Sequence, residues 1–579
     1  MDRQPLYYTV FISFILIASS FYLSWSVDRG MGEVSVQKMS VERAPGRSVE
    51  FLVYSPRTAN HYEPMPVVLT IHGLTGSKEN LYAFNVELAR RNFTVVSIDL
   101  PGHGDSTVGF NITDFEGMAQ DAYAALRYVQ TTLPGVDNET YGVLSHSLGF
   151  RIAIELKDFP VAPRAYVAMG NAGNQPQDGF VDFPDNLLFA IGSFDEIVSR
   201  KDALQAIRFA TGNETAVAGV TYGSLDNQTA YRLAFGLSDH ASEVVDRYLI
   251  TEAVTWLVQG VQGQDQLIQT RNPADQVSYR KNIATILSTI FIFVSIFPVM
   301  WLTYSLLPVS LKPRKFQHDT KSYSLRRSFE ISSVLGGLVV IIFAASSILG
   351  ISLEDVGIKG LSLMSGTSII LFLIIGASGL FITMWLTLGK EDTQKALTSV
   401  GVERLRTREH LSDILKSLVV AGVGIAWLDF WLRIAQADGV LLLLVRLPVG
   451  VRFVDTIVLT ILAIPIFLVE AALIRGVLLA ERDWKTRYVK SKSAVFALFS
   501  RFAIVALMTV VVILFTTAAG VTAGRIVLIG VIWVRILIVQ ILAAVLIAWT
   551  SLEFNNTGSA VFVSSFILSL VIVTALPLV

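Results

Sequence analysis

Ser147 stands in the run Tyr141-Gly142-Val143-Leu144-Ser145-His146-Ser147-Leu148-Gly149-Phe150-Arg151. An apolar run enters a cluster of small residues and leaves as a helix-like stretch. Strand, sharp turn and helix in that order let a serine at the apex point its hydroxyl out of a sheet, toward an attackable carbonyl. The turn needs small flanking residues, usually spaced G-x-S-x-G. Here Ser145 stands where the first glycine would be, and Gly149 fills the second place. A serine hydroxyl is a weak nucleophile and needs a base within hydrogen-bond reach. The chain has seven histidines to draw on and no cysteine. Thiolate catalysis, disulfides and Cys-based metal sites are therefore excluded.

Two further motifs precede the elbow. His72-Gly73-Leu74-Thr75-Gly76 follows the β-like run Val67–Ile71, and Asp99-Leu100-Pro101-Gly102-His103-Gly104-Asp105-Ser106 follows Thr94–Ile98. With these motifs in this order, residues 48–258 resemble the α/β-hydrolase superfamily, nearest to its monoglyceride-lipase, serine-aminopeptidase and dienelactone-hydrolase-like branches. The resemblance implies nucleophile, acid and histidine in chain order. It implies Asp195 as the acid, in the loop Gly192–Val198, with Glu196 as the alternative. It implies His240 as the base, in Leu237–Glu243, ahead of the last helix of the domain. No other histidine follows His146 within this domain. Asp239 adjoins His240 and cannot easily orient its neighbour's ring. By the same analogy the N–H groups of Leu148 and Leu74 form an oxyanion hole, while His72, His103 and His146 shape loops. The chemistry calls for no cofactor and no metal.

These residues need a sheet to carry them. Strands are expected at Val49–Tyr54, Val67–Ile71, Thr94–Ile98, Tyr141–Leu144, Ala165–Ala168 and Leu187–Ile191, with helices at Glu79–Arg91, Phe115–Thr132 and Ala241–Val258. The alternation predicts an α/β domain, a doubly wound sheet with helices on both faces. Fewer than twenty residues separate the strands around Ala168 and Leu187, too few for a large cap. The pocket is expected to be open, or covered by residues 201–235 or a membrane surface.

The rest of the chain has a different character. Of 579 residues, 52% are hydrophobic and 16% charged, and mean hydropathy is +0.55. That excludes a disordered chain and argues against a wholly soluble one. The net charge of −1 carries no basic excess that would favour nucleic acid. Residues 8–27 are long and apolar enough for a spanning helix. We read them as an uncleaved anchor, with a signal peptide cut near Ala18-Ser19-Ser20 as the competing reading. The organisation follows: 1–27 anchor, 28–260 α/β domain, 261–282 polar linker, 283–579 an all-α transmembrane bundle. About eight spans are expected there: 283–306, 331–351, 362–388, 412–434, 453–479, 493–516, 526–549 and 559–578.

Every second loop is basic. Lys312, Arg314, Lys315, Lys321, Arg326 and Arg327 lie in one, Arg404, Arg406 and Arg408 in the next, and Arg482, Lys485, Arg487, Lys490 and Lys492 in a third. Basic loops stay in the cytoplasm, which places the N-terminus inside and the α/β domain outside. Five of six Asn-x-Ser/Thr sites (Asn92, Asn111, Asn138, Asn213, Asn227, with Asn556 the sixth) fall in residues 28–282, in mild agreement.

Charges inside apolar spans are costly and often functional. Candidates are Asp429 with Arg433, Glu470 with Arg475, Arg501 and Arg535; structural pairing is the competing reading. Glu470-Ala471-Ala-Leu-Ile-Arg475-Gly476, Phe496 through Ser500, and Asn556-Thr557-Gly558-Ser559 resemble motifs of the CAAX prenyl-protease and bacteriocin-processing membrane family. Ala471 replaces the second glutamate of that pattern and Ser500 its histidine, so the resemblance implies a relative without the protease chemistry. The whole chain is thus expected to be a membrane-anchored, extracytoplasmic serine hydrolase of acyl esters, working through an acyl-enzyme, with lipid bilayer and acyl substrate as partners. A peptidase or amidase with the same residues is the first alternative. A transporter, receptor or scaffold with a binding α/β domain is the second.

Overall fold

The computed structural model describes residues 4–57, 64–175, 179–180, 182–312, 366–402, 408–437, 448, 450–478 and 523–579, with scattered positions between 330 and 363. They form two compact units. One is built chiefly of Ile17–Ser288, the other of Thr289–Ile434 and Leu444–Leu576.

The first unit holds a mixed sheet of nine strands: β1 (Val34–Ala44), β2 (Arg47–Pro56), β3 (Met65–Ile71), β4 (Thr94–Ile98), β5 (Val136–His146), β6 (Tyr166–Met169), β9 (Leu187–Gly192), β10 (Thr221–Tyr222) and β11 (Tyr231–Gly236). The strands β7 (Asn174–Gln175) and β8 (Gly179–Phe180) pair separately. The spatial order is β1-β2-β4-β3-β5-β6-β9-β11-β10. From β4 to β11 neighbours run parallel, while β1, β2 and β10 pair antiparallel. β4, β6 and β9 are buried along their whole length, as expected where helices cover both faces.

All six strands expected from the sequence are present. In this sheet β1, β10 and β11 are additional. β1 alternates exposed and half-buried positions at the sheet edge, so its side chains lack the apolar run that marks the central strands. The helix expected over Ala241–Val258 is shorter. Asp246 interrupts it, accepting from the N–H groups of Tyr248 (2.8 Å) and Leu249 (3.2 Å) as the N-cap of α6 (Arg247–Leu257). The earlier helices are α1 (Gln4–Asp28), α2 (Tyr82–Ala89), α3 (Phe115–Thr132), α4 (Leu148–Glu155) and α5 (Arg200–Thr211).

Residues 261–282 were expected as a linker, yet their backbone is bonded into this unit. The guanidinium of Arg91, itself fully buried, donates to the carbonyls of Arg271 (3.1 Å) and Asp275 (3.0 Å). Oε1 of the buried Glu87 accepts from the N–H groups of Val277 (2.7 Å) and Ser278 (3.0 Å). Lys281, also buried, pairs with Asp28.

In both units together, six described helices are long and apolar enough to cross a membrane: Tyr7–Asp28, Tyr279–Leu306, Gly366–Leu388, Ser412–Ala435, Val451–Gly476 and Gly558–Ala575. Each matches an expected span. The expected span 526–549 falls within the helix Ala523–Glu553, whose apolar described part is shorter. The span 493–516 and the basic loops around Lys321, Arg404 and Arg487 lie outside the described residues.

Candidate active site

Ser147 sits between β5 and α4 with φ +52° and ψ −117°. An L-residue held there costs on the order of 1–3 kcal/mol, so its neighbours must over-determine it. They do so from three sides. The Ser147 N–H donates to Met169 O at 2.8 Å, which ties the turn to β6. Asn171 Nδ2 donates to Ser147 O at 2.9 Å, and its Oδ1 accepts from Gly173 N at 2.7 Å. Gly149 packs so closely under β3 that a Cβ there would stand 2.4 Å from Ile71 O. Ser145, at the place of the usual glycine, is fully buried and donates through Oγ to Val167 O at 3.0 Å. Its small size and this acceptor explain why the turn accommodates it.

His240 lies in the loop after β11, Asp195 in the loop after β9. These loops are laced together: Ser193 N donates to Gly236 O (2.8 Å) and Phe194 N to Ser238 O (3.0 Å). His240 Nδ1 is 2.9 Å from Asp195 Oδ2. A carboxylate only accepts, so Nδ1 carries the proton and Nε2 is left bare. Nε2 is 2.9 Å from Ser147 Oγ, so the hydroxyl donates to it. The expected residues Ser147, His240 and Asp195 therefore form one hydrogen-bonded chain. Asp195 Oδ1 accepts from Ile197 N (2.6 Å) and Val198 N (2.8 Å). Burial pushes the Asp195 carboxyl up, but the His240 contact and those two amides outweigh it and hold it below the usual range.

The alternatives take other roles. Glu196 Oε2 accepts from His240 N at 3.2 Å, supporting the loop backbone rather than the ring. Asp239 is occupied with Ser242, accepting its N–H at 2.8 Å. His146 Nε2 donates to His240 O at 3.1 Å. Burial and the neighbouring His240 push the His146 imidazole down to about 3, so it is a neutral donor. His72 Nδ1 donates to Gly73 O (2.7 Å) and its Nε2 accepts from Leu100 N (3.1 Å). That joins the two Gly-containing loops. His103 Nδ1 donates to Pro101 O at 2.8 Å. All three shape loops, as expected.

Leu148 is the first residue of α4, so its N–H has no acceptor within the helix. The His72–Gly76 loop that carries Leu74 abuts the serine: a Cβ on Gly73 would stand 2.9 Å from Ser147 Cβ. His146, His240 and Glu243 bring metal-type donor atoms within 4.8 Å of one another. Three of the four ring nitrogens of this trio are already engaged: His240 Nδ1 with Asp195, His240 Nε2 with Ser147, and His146 Nε2 with the His240 carbonyl.

A family model of S33 serine aminopeptidases matches residues 62–169, which run from β3 through the elbow to β6. This part of the chain has the α/β-hydrolase fold. Among curated proteins, the chain is similar to a probable alcohol acetyltransferase of Cyberlindnera fabianii, 29% identical over 131 residues, 22% of this chain and 33% of that protein. It is also similar to the dihydrolipoyllysine-residue acetyltransferase component of the acetoin cleaving system of Cupriavidus necator, 36% identical over 121 residues, 20% of this chain and 30% of that protein. The chain thus spans about a third of the length of the curated relatives it matches. Solved structures include a cold-adapted esterase from an Arctic intertidal metagenomic library (19% identity, TM-score 0.29, 40% of this chain and 95% of that one). Another is an epoxide hydrolase of Vigna radiata (19% identity, TM-score 0.20, 26% and 42%).

Asn171 and Glu243 border this site but carry no sequence signal of their own. Neither stands at a motif spacing, and a glutamate reads as a surface residue until its burial is seen. In the apolar helices, Arg433 pairs with Asp429 one turn away at 2.7 Å and is mostly exposed, a local ion pair. Arg475 is fully buried and donates to Asn555 Oδ1 (2.6 Å) and Ser551 Oγ (3.4 Å). Glu470 is buried on the helix Val451–Leu473. Phe496, Ser500 and Arg501 lie outside the described residues.

Proposed function

We propose that the chain is a membrane-anchored serine hydrolase of acyl esters. One observation carries this reading: the continuous Ser147–His240–Asp195 hydrogen-bonded chain, with Ser147 held at the apex of a strained elbow. His240 Nε2 takes the Ser147 proton as Oγ attacks the ester carbonyl, and returns it to the leaving alkoxide. Asp195 holds the ring in the required tautomer and stabilises the imidazolium. The N–H groups of Leu148 and Leu74 receive the oxyanion; a donor of this kind is worth on the order of 10²–10³ in rate. Water, activated by the same histidine, then releases the acid. In this reading the apolar helices anchor the enzyme in a bilayer, and the alternation of basic loops in the sequence supports a hydrolase unit outside the cytoplasm. Kinship of the bundle with the prenyl-protease family would supply architecture only, since Ala471 and Ser500 replace the reactive positions.

A second reading, peptide or amide cleavage by the same residues, is favoured by the serine-aminopeptidase family match. The full chain in detergent, offered a panel of acyl esters and aminoacyl amides beside Ser147→Ala, separates the two. Ester turnover lost in the variant supports the proposal. Amide turnover alone selects the peptidase. No Ser147-dependent turnover of either class leaves the transporter, receptor or scaffold reading in its place.

A further inference from the structure

Glu243 stands three residues after His240, in a short turn of 3₁₀ helix, with its side chain fully buried. Its Oε1 accepts from the N–H of Gly192, the last residue of β9 and the start of the loop that carries Asp195. Among the described residues its Oε2 has no hydrogen-bond donor. It lies 3.7 Å from His146 Nε2, whose hydrogen is already given to the His240 carbonyl. Gly170, at the end of β6, leaves the space for this packing: a Cβ there would stand 2.4 Å from Glu243 Oε2 and 2.8 Å from His240 Cε1. The charged and titratable groups that face Glu243 are His146 from β5, Asp195 and Glu196 from the loop after β9, and His240 from its own loop. None of these groups is a lysine or arginine, and the two nitrogens of His240 are shared between Ser147 and Asp195.

A buried carboxylate with no cation and no donor for one oxygen is costly. Adding a proton to that oxygen turns an orphan acceptor into a donor aimed at Asp195. We propose that Glu243 is a positioning residue that works as an uncharged carboxylic acid, accepting from Gly192 with one oxygen and donating to the Asp195 carboxylate with the other. It thereby fastens the acid loop to the histidine loop behind the imidazole. Burial first, and then the nearby Asp195 charge, push the Glu243 carboxyl up to about 10, in keeping with this geometry. When it ionises, the donor is lost, and a second negative charge repels Asp195 from its place beside His240.

The proposal rests on the serine-hydrolase reading, and its test keeps the two apart. The readout is the rate at which a fluorophosphonate labels full-length protein in detergent, from about pH 7 to about pH 11, with a thermal transition to show folding. Gln can accept and donate as the neutral acid does, so Glu243→Gln is expected to label within about threefold of wild type near pH 7 and to keep its rate near pH 10, where wild type declines. Glu243→Leu, with neither function, is expected to lose at least about tenfold throughout while folded. If Glu243→Gln falls as far as Glu243→Leu, or shares the wild-type decline, the proposal is overturned. Should Glu243→Gln not fold, the wild type decides: a rate that is flat to the top of the range overturns the proposal, and a decline centred near pH 10 supports it. No labelling of wild type at any pH overturns the hydrolase reading itself.

Discussion

Ser145 Oγ donates to the carbonyl of Val167 at 3.0 Å, across the β5–β6 pair and directly under the elbow. A serine therefore replaces the usual glycine because the neighbouring strand supplies its acceptor. Ser145→Gly removes one buried hydrogen bond but no partner charge. It is expected to cost about 0.5–1.5 kcal/mol of stability and to leave labelling of Ser147 nearly unchanged. Ser145→Val both overpacks this fully buried site and loses the hydroxyl's bond to Val167, and should cost about 2–4 kcal/mol and most of the activity. Thermal unfolding and labelling rate, measured side by side, check both.

Asn171 is the clamp on the other side of the turn. Its Nδ2 holds the Ser147 carbonyl while Gly173 N fixes its orientation. Asn171→Ala should slow acylation roughly tenfold, equivalent to about 1.4 kcal/mol, with a smaller effect on folding. Single-turnover acylation of a chromogenic ester reads this directly.

Asp195→Asn preserves size while placing an amide opposite His240 Nδ1. An amide N–H there selects the wrong tautomer of the ring, so kcat should fall by on the order of 10⁴ with the thermal midpoint little moved. A loss of tenfold or less, in folded protein, would mean that another carboxylate orients His240.

Glu243 also links stability to pH. The folded state holds its proton to about 10, while an unfolded chain releases it near the usual glutamate value of 4.5. Between those values the native state binds the extra proton, so stability falls as pH rises, by up to about 1.4 kcal/mol per unit. Glu243→Gln lacks this term. Its thermal midpoint, relative to wild type, should climb steadily from about pH 5 to about pH 9. A constant difference would show that Glu243 is ionised in the folded protein.

The buried Lys78 sets the position of the loop that follows β4. Its Nζ is shared by Asp99 and Asp105 (2.7 Å to the latter), and all three are largely withdrawn from water. Lys78→Met leaves the buried Asp99 without its cation, while Asp105 keeps Lys38 at 2.7 Å, and should destabilise the α/β unit by roughly 3–5 kcal/mol. Thermal unfolding of the full chain measures it.

Much of this site was legible because its chemistry depends on backbone motifs of fixed order. Ser147 is marked by its elbow, His240 by the scarcity of histidines, and the two Gly-containing loops by the strands before them. Other contacts depend on meetings between distant segments. Arg91 and Glu87 capture the backbone of residues 271–278, and nothing local in that polar stretch separates a captured segment from a loose linker. Glu243 is invisible for a related reason: the burial that keeps it neutral comes from β5, β6 and β9 together. The apolar helices were legible as lengths of hydrophobic sequence, but such runs do not encode which side chains meet. Arg475 reaches Asn555 and Ser551, more than seventy residues away in the chain.

The central claim is that Ser147 is a nucleophile activated by His240. Fluorophosphonate treatment of the full-length protein, followed by mass mapping of the adduct, tests it most directly. A covalent adduct is expected on Ser147, absent from Ser147→Ala and strongly slowed in His240→Ala. A folded wild-type protein that forms no adduct, or forms it on another residue, would contradict it.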